Sequence, residues 1–344
     1  MTSNTDQAKH ILALIEALDD VIVIEDGKVI KNTLSDKQIT VAKNQDDTTI
    51  KTFKSDNVIV SNNQKDAQCR FKIHVPKNHH AKQPVHLFFI QESPDLKHNV
   101  EVVLAQNAKL TYNEYIYGKS SVTVDFVSQI HLDSHAELSY HSIANMDQNT
   151  LSSIHRLARV NEASLAYFKT AQMGHGNTHQ DTAIDLIGAR SYGEIKTVAL
   201  ANEKQEAIIK SLIEHSAKET EGYIEQYGVA TDESFLVFEG VGKIHKGMKG
   251  SKAHQHNKGV VLNNAARLDA NPLLLIDEYD VEASHGAAIG QIDVEQLYYL
   301  MSRGLSEKDA QRLIIKGYLV PLETLMKNEH MQQHFQTLLA QKTD

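Results

Sequence analysis

The sequence predicts a mainly β chain built as a β-solenoid, with a short helical segment before it and a helical domain after it. Three observations predict this. From about residue 56 the pattern is short apolar runs parted by turns. A motif, Ala-x-Leu-x-Tyr, recurs at Ala108–Tyr112, Ala136–Tyr140 and Ala163–Tyr167, with alanines 28 and 27 residues apart. Beyond Asp293, apolar residues fall at helical spacing instead. A coil of this size cannot bury its inward side chains alone, so the coils must stack. Propeller blades are longer, roughly 40 residues or more.

In order, Ala8, Ile11, Leu12, Leu14, Ile15 and Leu18 mark a first helix. Val21–Ile24 and Val29–Ile30 flank Asp26-Gly27, which predicts a hairpin with a positive-φ turn. Residues 31 to about 55 are polar and read as a loosely ordered entry. Gly193-Glu-Ile195 continues the repeat in degenerate form. Residues 203–225 are ambiguous between helix and strand, and their strand-like flanks favour strand. Phe235–Phe238 and Gly259–Leu262 read as strands. Asp293 is a helix N-cap for a stripe of Leu297, Leu300 and Met301, and Gly304 stops that helix. Ser306 caps a second helix carrying Ala310, Leu313, Ile314, Gly317 and Tyr318. Pro321 is expected to end it and open a third, with Leu322, Leu325, Met326, Phe335, Leu338 and Leu339. Three segments follow: 1–55, an N-terminal helix, hairpin and entry; 56–290, the solenoid; and 291–344, a helical domain. That last domain is either a lid on the solenoid's end or a docking surface.

Composition narrows function. The formal charge of −9 argues against nucleic-acid binding. The N-terminus has neither a basic start nor an apolar signal segment, and no membrane-length apolar run occurs, so a cytoplasmic chain is expected. One cysteine, Cys69, excludes internal disulfides and an all-thiolate metal site; it reads as a strand residue. Gly118-Lys119-Ser120 resembles the end of a phosphate loop, but Asn113 stands where the leading glycine is required. No ATPase or hydrolase motif is present.

The remaining candidates cluster late in the chain. His254-Gln-His256 places two imidazoles on one face of a strand, read as a solvated pair, and His79-His80 lies in a polar loop. Asp277, Glu278, Asp280 and Glu282 are acids near the end of the strand region. They read as solvated edge charges, while Asp277 and Asp280 also suit a solenoid polysaccharide-active enzyme. His285 sits between Ser284 and Gly286, so its ring is sterically uncrowded. One imidazole is an incomplete metal site, and alone it fits a metal-free interaction solenoid as well.

Asp269-Ala-Asn-Pro-Leu-Leu-Leu-Ile-Asp-Glu-Tyr-Asp-Val-Glu-Ala-Ser-His-Gly-Ala-Ala-Ile-Gly-Gln-Ile-Asp293, continued by Tyr298-Tyr-Leu-Met-Ser-Arg-Gly-Leu305, resembles the signature of the SufB/SufD family, in its SufD branch. The resemblance is specific over about residues 235–320 and diffuse over the repeats. It implies a right-handed parallel β-helix followed by a helical domain. It also implies a non-enzymatic scaffold subunit for iron–sulfur cluster assembly that pairs with SufB and docks the SufC ATPase. ATP-driven closure of two SufC subunits would then strain the SufB–SufD interface. By the same resemblance, His285 is a candidate iron ligand completed by a thiolate and a carboxylate from SufB. Leu297, Leu300, Arg303, Gly304, Ala310 and Leu313 fall in the SufC-docking part, and Asp280, Glu282 and Ser284 at the SufB interface. A transient cluster would form at that interface, reduced flavin binds the complex in some relatives, and this chain alone would hold neither. In isolation it would self-pair into a homodimer through the same surface. Two departures stand out: Ala283 occupies a position where some relatives have cysteine, and residues 1–55 are short against the family's N-terminal region.

Overall fold

A computed structural model describes residues 4–43, 66–119, 121–323 and 328–343. The chain opens with helix α1 (Asn4–Ala17), then strands β1 (Val21–Glu25), β2 (Lys28–Asn32) and β3 (Thr40–Lys43). Eight coils follow, each giving one strand to each of two sheets. They are β4 (Cys69–Val75) with β5 (Val85–Gln91), β6 (Leu96–Leu104) with β7 (Lys109–Gly118), and β8 (Thr123–Leu132) with β9 (Glu137–Met146). Next come β10 (Leu151–Val160) with β11 (Leu165–Gln172), β12 (Asn177–Leu186) with β13 (Tyr192–Ala201), and β14 (Glu206–His215) with β15 (Glu221–Ala230). The stack ends with β16 (Phe235–Ile244) and β17 (Lys252–Val261), then β18 (Arg267–Ile276) and β19 (Glu282–Gln291). Helices α2 (Val294–Ser302), α3 (Glu307–Glu323) and α4 (Glu329–Thr343) close the chain.

Odd-numbered strands from β5 to β19 form one parallel sheet and even-numbered strands from β4 to β18 the other. The β-solenoid reading therefore stands, and residues 203–225 are strand as their flanks suggested. Alternation along each strand sends one set of side chains into the lumen and the other outward. Because the ladders stay in register, inward residues stack in columns. One column runs Tyr112, Tyr140, Phe168, Ile195, Ile224, Gln255 and His285.

That column corrects the repeat. The third motif is one residue out of phase: Phe168, not Tyr167, continues the tyrosine column, and Ala163 sits in the turn at φ 52°. Its true predecessors are Asn107 at φ 58° and His135 at φ 62°. Each of these corner residues donates its backbone N–H to a carbonyl of the next coil, and Gly250 does the same to Asp280 at 2.7 Å. The corner geometry repeats even where an alanine must adopt a left-handed conformation that L-residues disfavour.

The described part of the entry segment, residues 31–43, is more ordered than its polarity suggests. The hairpin of β1 and β2 joins one sheet, with β1 parallel to β5, and β3 pairs antiparallel with β4. Cys69 is buried on β4, in the lumen core. Residues 44–65 lie outside the described residues, as do Leu325 and Met326.

The helices do not form a lid on the solenoid's end. They pack on the outer face of the β5–β19 sheet, where Phe88, Tyr115, Ile143, Val198 and Val229 meet Ile11 and Leu14 of α1, Ile315 and Leu319 of α3, and Phe335 and Leu338 of α4. Fully buried His334 bridges His10 and the Tyr117 hydroxyl, each at 2.8 Å, tying both helical ends of the chain to this sheet. Helix α3 runs past Pro321 to Glu323. The proline therefore does not end the helix, at the cost of one backbone bond. The third helix begins instead at Glu329, after Asn328, whose Oδ1 caps it by accepting the Met331 N–H at 3.0 Å.

Candidate functional site

The last coil is where the solenoid stops and nothing described covers it. On β18, Leu273 and Leu275 are half exposed, at 51% and 50%, and with Asn271 they make every second residue of the strand's second half open. On β19 every residue but Gly286 is exposed, Ile289 only just, at 37%. The outer edges of both strands therefore present backbone groups without a neighbouring strand, on a coil with exposed apolar side chains. Pro272, in the middle of β18, is compatible with this position because an edge strand tolerates a missing donor.

His285 occupies this end. Its column places it directly on Gln255, at the open mouth of the lumen. The ring Nδ1 lies 3.1 Å from the Pro272 carbonyl oxygen. A carbonyl oxygen only accepts, so Nδ1 carries the proton and donates. The neutral ring then keeps its lone pair on Nε2, in an exposed side chain. This tautomer leaves Nε2 as the nitrogen able to bind a metal, and the backbone of the neighbouring strand selects it. Among the described residues no group of three histidine, cysteine, aspartate or glutamate side chains is placed to hold a metal.

Ser284, one residue earlier, points to the opposite side of the sheet. There its hydroxyl meets His254 Nδ1 at 2.7 Å, and the His254 ring stacks on Tyr223 at 5.2 Å. His254 and His256 do share one face, but it is the outward one, so neither converges with His285. Asp280 and Glu282 are exposed around the corner that leads into β19. Glu278 is a turn residue: it accepts N–H bonds from Tyr279 at 2.9 Å and Gly247 at 2.8 Å, which hold its carboxyl below the usual range. His79 is bound to Asp36 at 2.7 Å, within a turn.

The helical residues divide. Asp293 caps α2 as its sequence position predicts, accepting from Glu295 N–H at 2.9 Å, and Gly304 ends the helix at φ 96°. Leu300 and Leu313 line a groove of about 540 Å³ between α2, α3 and the β15–β19 strands, together with Tyr227, Lys258 and Tyr318. Leu297 is half-buried, and Arg303 lies exposed over the Tyr299 ring. Ala310 is fully buried, so it supports α3 rather than presenting a surface. Of the exposed apolar residues of α2, the stripe of Leu297, Leu300 and Met301 includes only Met301. No residue of α2 is buried, and Val294, Tyr298, Tyr299 and Met301 all stand in solvent, Tyr298 at 73%. The sequence carries the signal for the others: Val294 and Tyr298 lie at i and i+4 and share a face with Met301 at i+7.

Fold and site together define a class: a parallel β-solenoid whose end coil no described residue covers, offering one poised imidazole and flanked by a helix with exposed apolar residues. Residues 88–318 match the family described as SUF system FeS cluster assembly, SufBD core domain, and the chain belongs to that family. It is 32% identical over 277 residues to the iron–sulfur cluster assembly protein SufD of Bacillus subtilis, covering 78% of this chain and 63% of that protein. A SufBD-family iron–sulfur cluster assembly protein of Pyrococcus horikoshii is 27% identical over 73% of this chain and 57% of its own length. SufD of Escherichia coli is 25% identical over 53% of this chain and 43% of its own. The matched stretch thus spans less than two thirds of each of these relatives. Among the described residues no helix is long and apolar enough to cross a membrane.

Proposed function

We propose that this chain is a non-catalytic scaffold subunit of an iron–sulfur cluster assembly complex. Its end coil pairs with a SufB-type subunit, its α2–α3 surface docks a SufC-type ATPase, and His285 contributes one ligand to iron or to a cluster being built between the subunits. The observation that carries this reading is the Nδ1 contact to the Pro272 carbonyl, which leaves His285 Nε2 free on an uncovered coil. A single imidazole cannot hold a cluster, so the other ligands must come from the partner. Cys69 cannot serve, because it is buried at the opposite end of the stack.

The pairing mode follows from the exposed strands. Addition of a partner's strand to β19 or β18 would satisfy the open backbone groups and cover Leu273 and Leu275. For the ATPase, α2 supplies exposed aromatics and the groove beside Leu300 and Leu313 supplies an apolar seat, the composition of an interface core.

Co-expression with SufB- and SufC-type partners tests the proposal, comparing the native chain with His285→Ala for subunit stoichiometry, iron and acid-labile sulfide. The expected result is an intact complex in both cases with iron and sulfide lost in the variant. Unchanged iron and sulfide would remove His285 from the chemistry, and failure of the native complex to form would overturn the scaffold role itself.

A further inference from the structure

Far from the end coil, the outer face of the β4–β18 sheet carries a polar group that cluster assembly leaves unused. The ladder of β10 and β12 sets Ser153 beside His179 and His155 beside Asp181. These four side chains point outward, because they alternate with the inward Ile154, Arg156, Gln180 and Thr182. Ser153 Oγ lies 2.8 Å from His155 Nε2. His155 Nδ1 lies 3.0 Å from Asp181 Oδ2, with the carboxylate off the line of the N–H. The other carboxylate oxygen accepts from His179 Nε2 at 2.9 Å.

Burial opposes ionisation of Asp181, but the two imidazoles outweigh it and hold the carboxyl well below the usual range. An ionised carboxylate only accepts, so the His155 proton sits on Nδ1 and the Nε2 lone pair faces the serine hydroxyl. This is the order of nucleophile, base and orienting acid that activates a serine, recognised by geometry and roles rather than by sequence position. Exposure follows the same order. His155 is 1% exposed, whereas Ser153 lines an open groove of about 320 Å³ together with Leu151, Asn177, His179, Glu206 and Ile208. The hydroxyl is therefore what a small molecule meets, with its base shielded behind it.

Asn177 adds a donor. Its Oδ1 accepts the Glu206 N–H at 2.9 Å, which fixes the amide and leaves Nδ2 for a carbonyl oxygen in the groove. The ladders on both sides of β10 occupy its backbone N–H groups, so β10 itself offers no main-chain oxyanion hole. One side-chain donor supports attack on an activated acyl donor rather than turnover of a stable ester.

We propose that Ser153 is an acyl-acceptor site, activated by His155 and Asp181, that takes a short uncharged acyl group from an activated ester. Ser153 Oγ attacks the acyl carbon while its proton passes to His155 Nε2. The tetrahedral adduct then collapses, the bond from the acyl carbon to the leaving oxygen breaks, and the leaving group takes that proton. One ester bond forms as another breaks, and nothing is oxidised or reduced. Leu151 and Ile208 suit an apolar acyl chain, and Glu206 disfavours an anionic one. The modification is single, so the chain remains a scaffold, and its test does not involve His285.

The full chain is treated with p-nitrophenyl butyrate, and p-nitrophenolate release and peptide mass spectrometry are read together. The expected result is a burst of about one equivalent per chain, with the butyryl group on Ser153. Ser153→Ala should remove the burst, and His155→Gln should slow it about 10²-fold or more. Asp181 acts only through His155, so Asp181→Asn should slow the burst and Asp181→Glu should restore part of it. Circular dichroism confirms folding, and Ser153→Ala decides the matter if the variants at buried His155 or Asp181 do not fold. An undiminished burst in Ser153→Ala, or butyrylation of Ser153 no faster than that of the exposed Ser302, would overturn the proposal.

Discussion

The two ends of the solenoid are finished differently. At the first coil, the hairpin of β1 and β2 and the antiparallel β3 close both sheets, and Val21–Ile24 are buried to the last residue. Beneath them Phe89 packs edge-on against Phe126 at 4.8 Å, and two coils on Tyr140 stacks on Phe168 at 4.7 Å. At the last coil the parallel strands simply stop, the inward column changes from isoleucine to Gln255 and His285, and leucines face solvent. One end is built to stand alone and the other to be completed. The difference teaches that this fold's stability and its assembly reside in separate coils, so each can be broken without the other.

The largest expected effect lies in the closed body. Arg156→Met leaves Glu114 buried without its cation and should cost about 3–5 kcal/mol in denaturant unfolding. At the open end Leu275→Ala should stay within about 0.5 kcal/mol in the isolated chain. If the two substitutions cost the same, the contrast between the ends is wrong.

A sharper test separates folding from pairing. Leu273→Asp with Leu275→Asp should leave the unfolding midpoint of the isolated chain unchanged and abolish co-purification with a SufB-type partner. Retained pairing would move the interface away from this coil.

Acid should act on the body. Burial lowers His86, His98 and His215 to about 4 and His334 to about 3. Between the unfolded value near 6.5 and these folded values the unfolded chain binds more protons, so stability is full above pH 6.5 and falls as pH drops towards 4. Unfolding midpoints at pH 7 and pH 5 check this, and His98→Asn should flatten the slope. A midpoint independent of pH over that range would contradict the burial of these rings.

The smallest effect concerns the corners. Glu219 holds φ 58° in the column that Gly250 continues at φ 72°. Glu219→Gly should therefore raise stability by up to about 1 kcal/mol, measured by thermal unfolding. A loss would mean that the side chain contributes more than its strained backbone costs.

Much of this was legible in the sequence, and the failures have physical causes. The solenoid, the strands of residues 203–225 and the caps at Asp293 and Ser306 follow from periodicity and local chemistry. The third repeat was misread because alanine can occupy a left-handed corner when the ladders on either side demand it, which puts Ala163 in the turn and shifts the true column to Phe168. The placement of the helices along the sheet's flank rather than over its end was not legible, because an apolar stripe shows that a face is covered and not by what. The tautomer of His285 was also beyond reach, since it depends on a carbonyl thirteen residues away that only the register of β18 and β19 brings near. The group of Ser153, His155 and Asp181 escaped for the same reason: Asp181 reaches the other two only through the register of β10 and β12.

The central claim is that the open coil is completed by a partner, and amide hydrogen exchange tests it most directly. The isolated chain is compared with the chain bound to a SufB-type subunit. The account predicts new protection concentrated in residues 267–291, with the hairpin at residues 21–32 unchanged. Protection at that hairpin, with residues 267–291 exchanging as before, would contradict it.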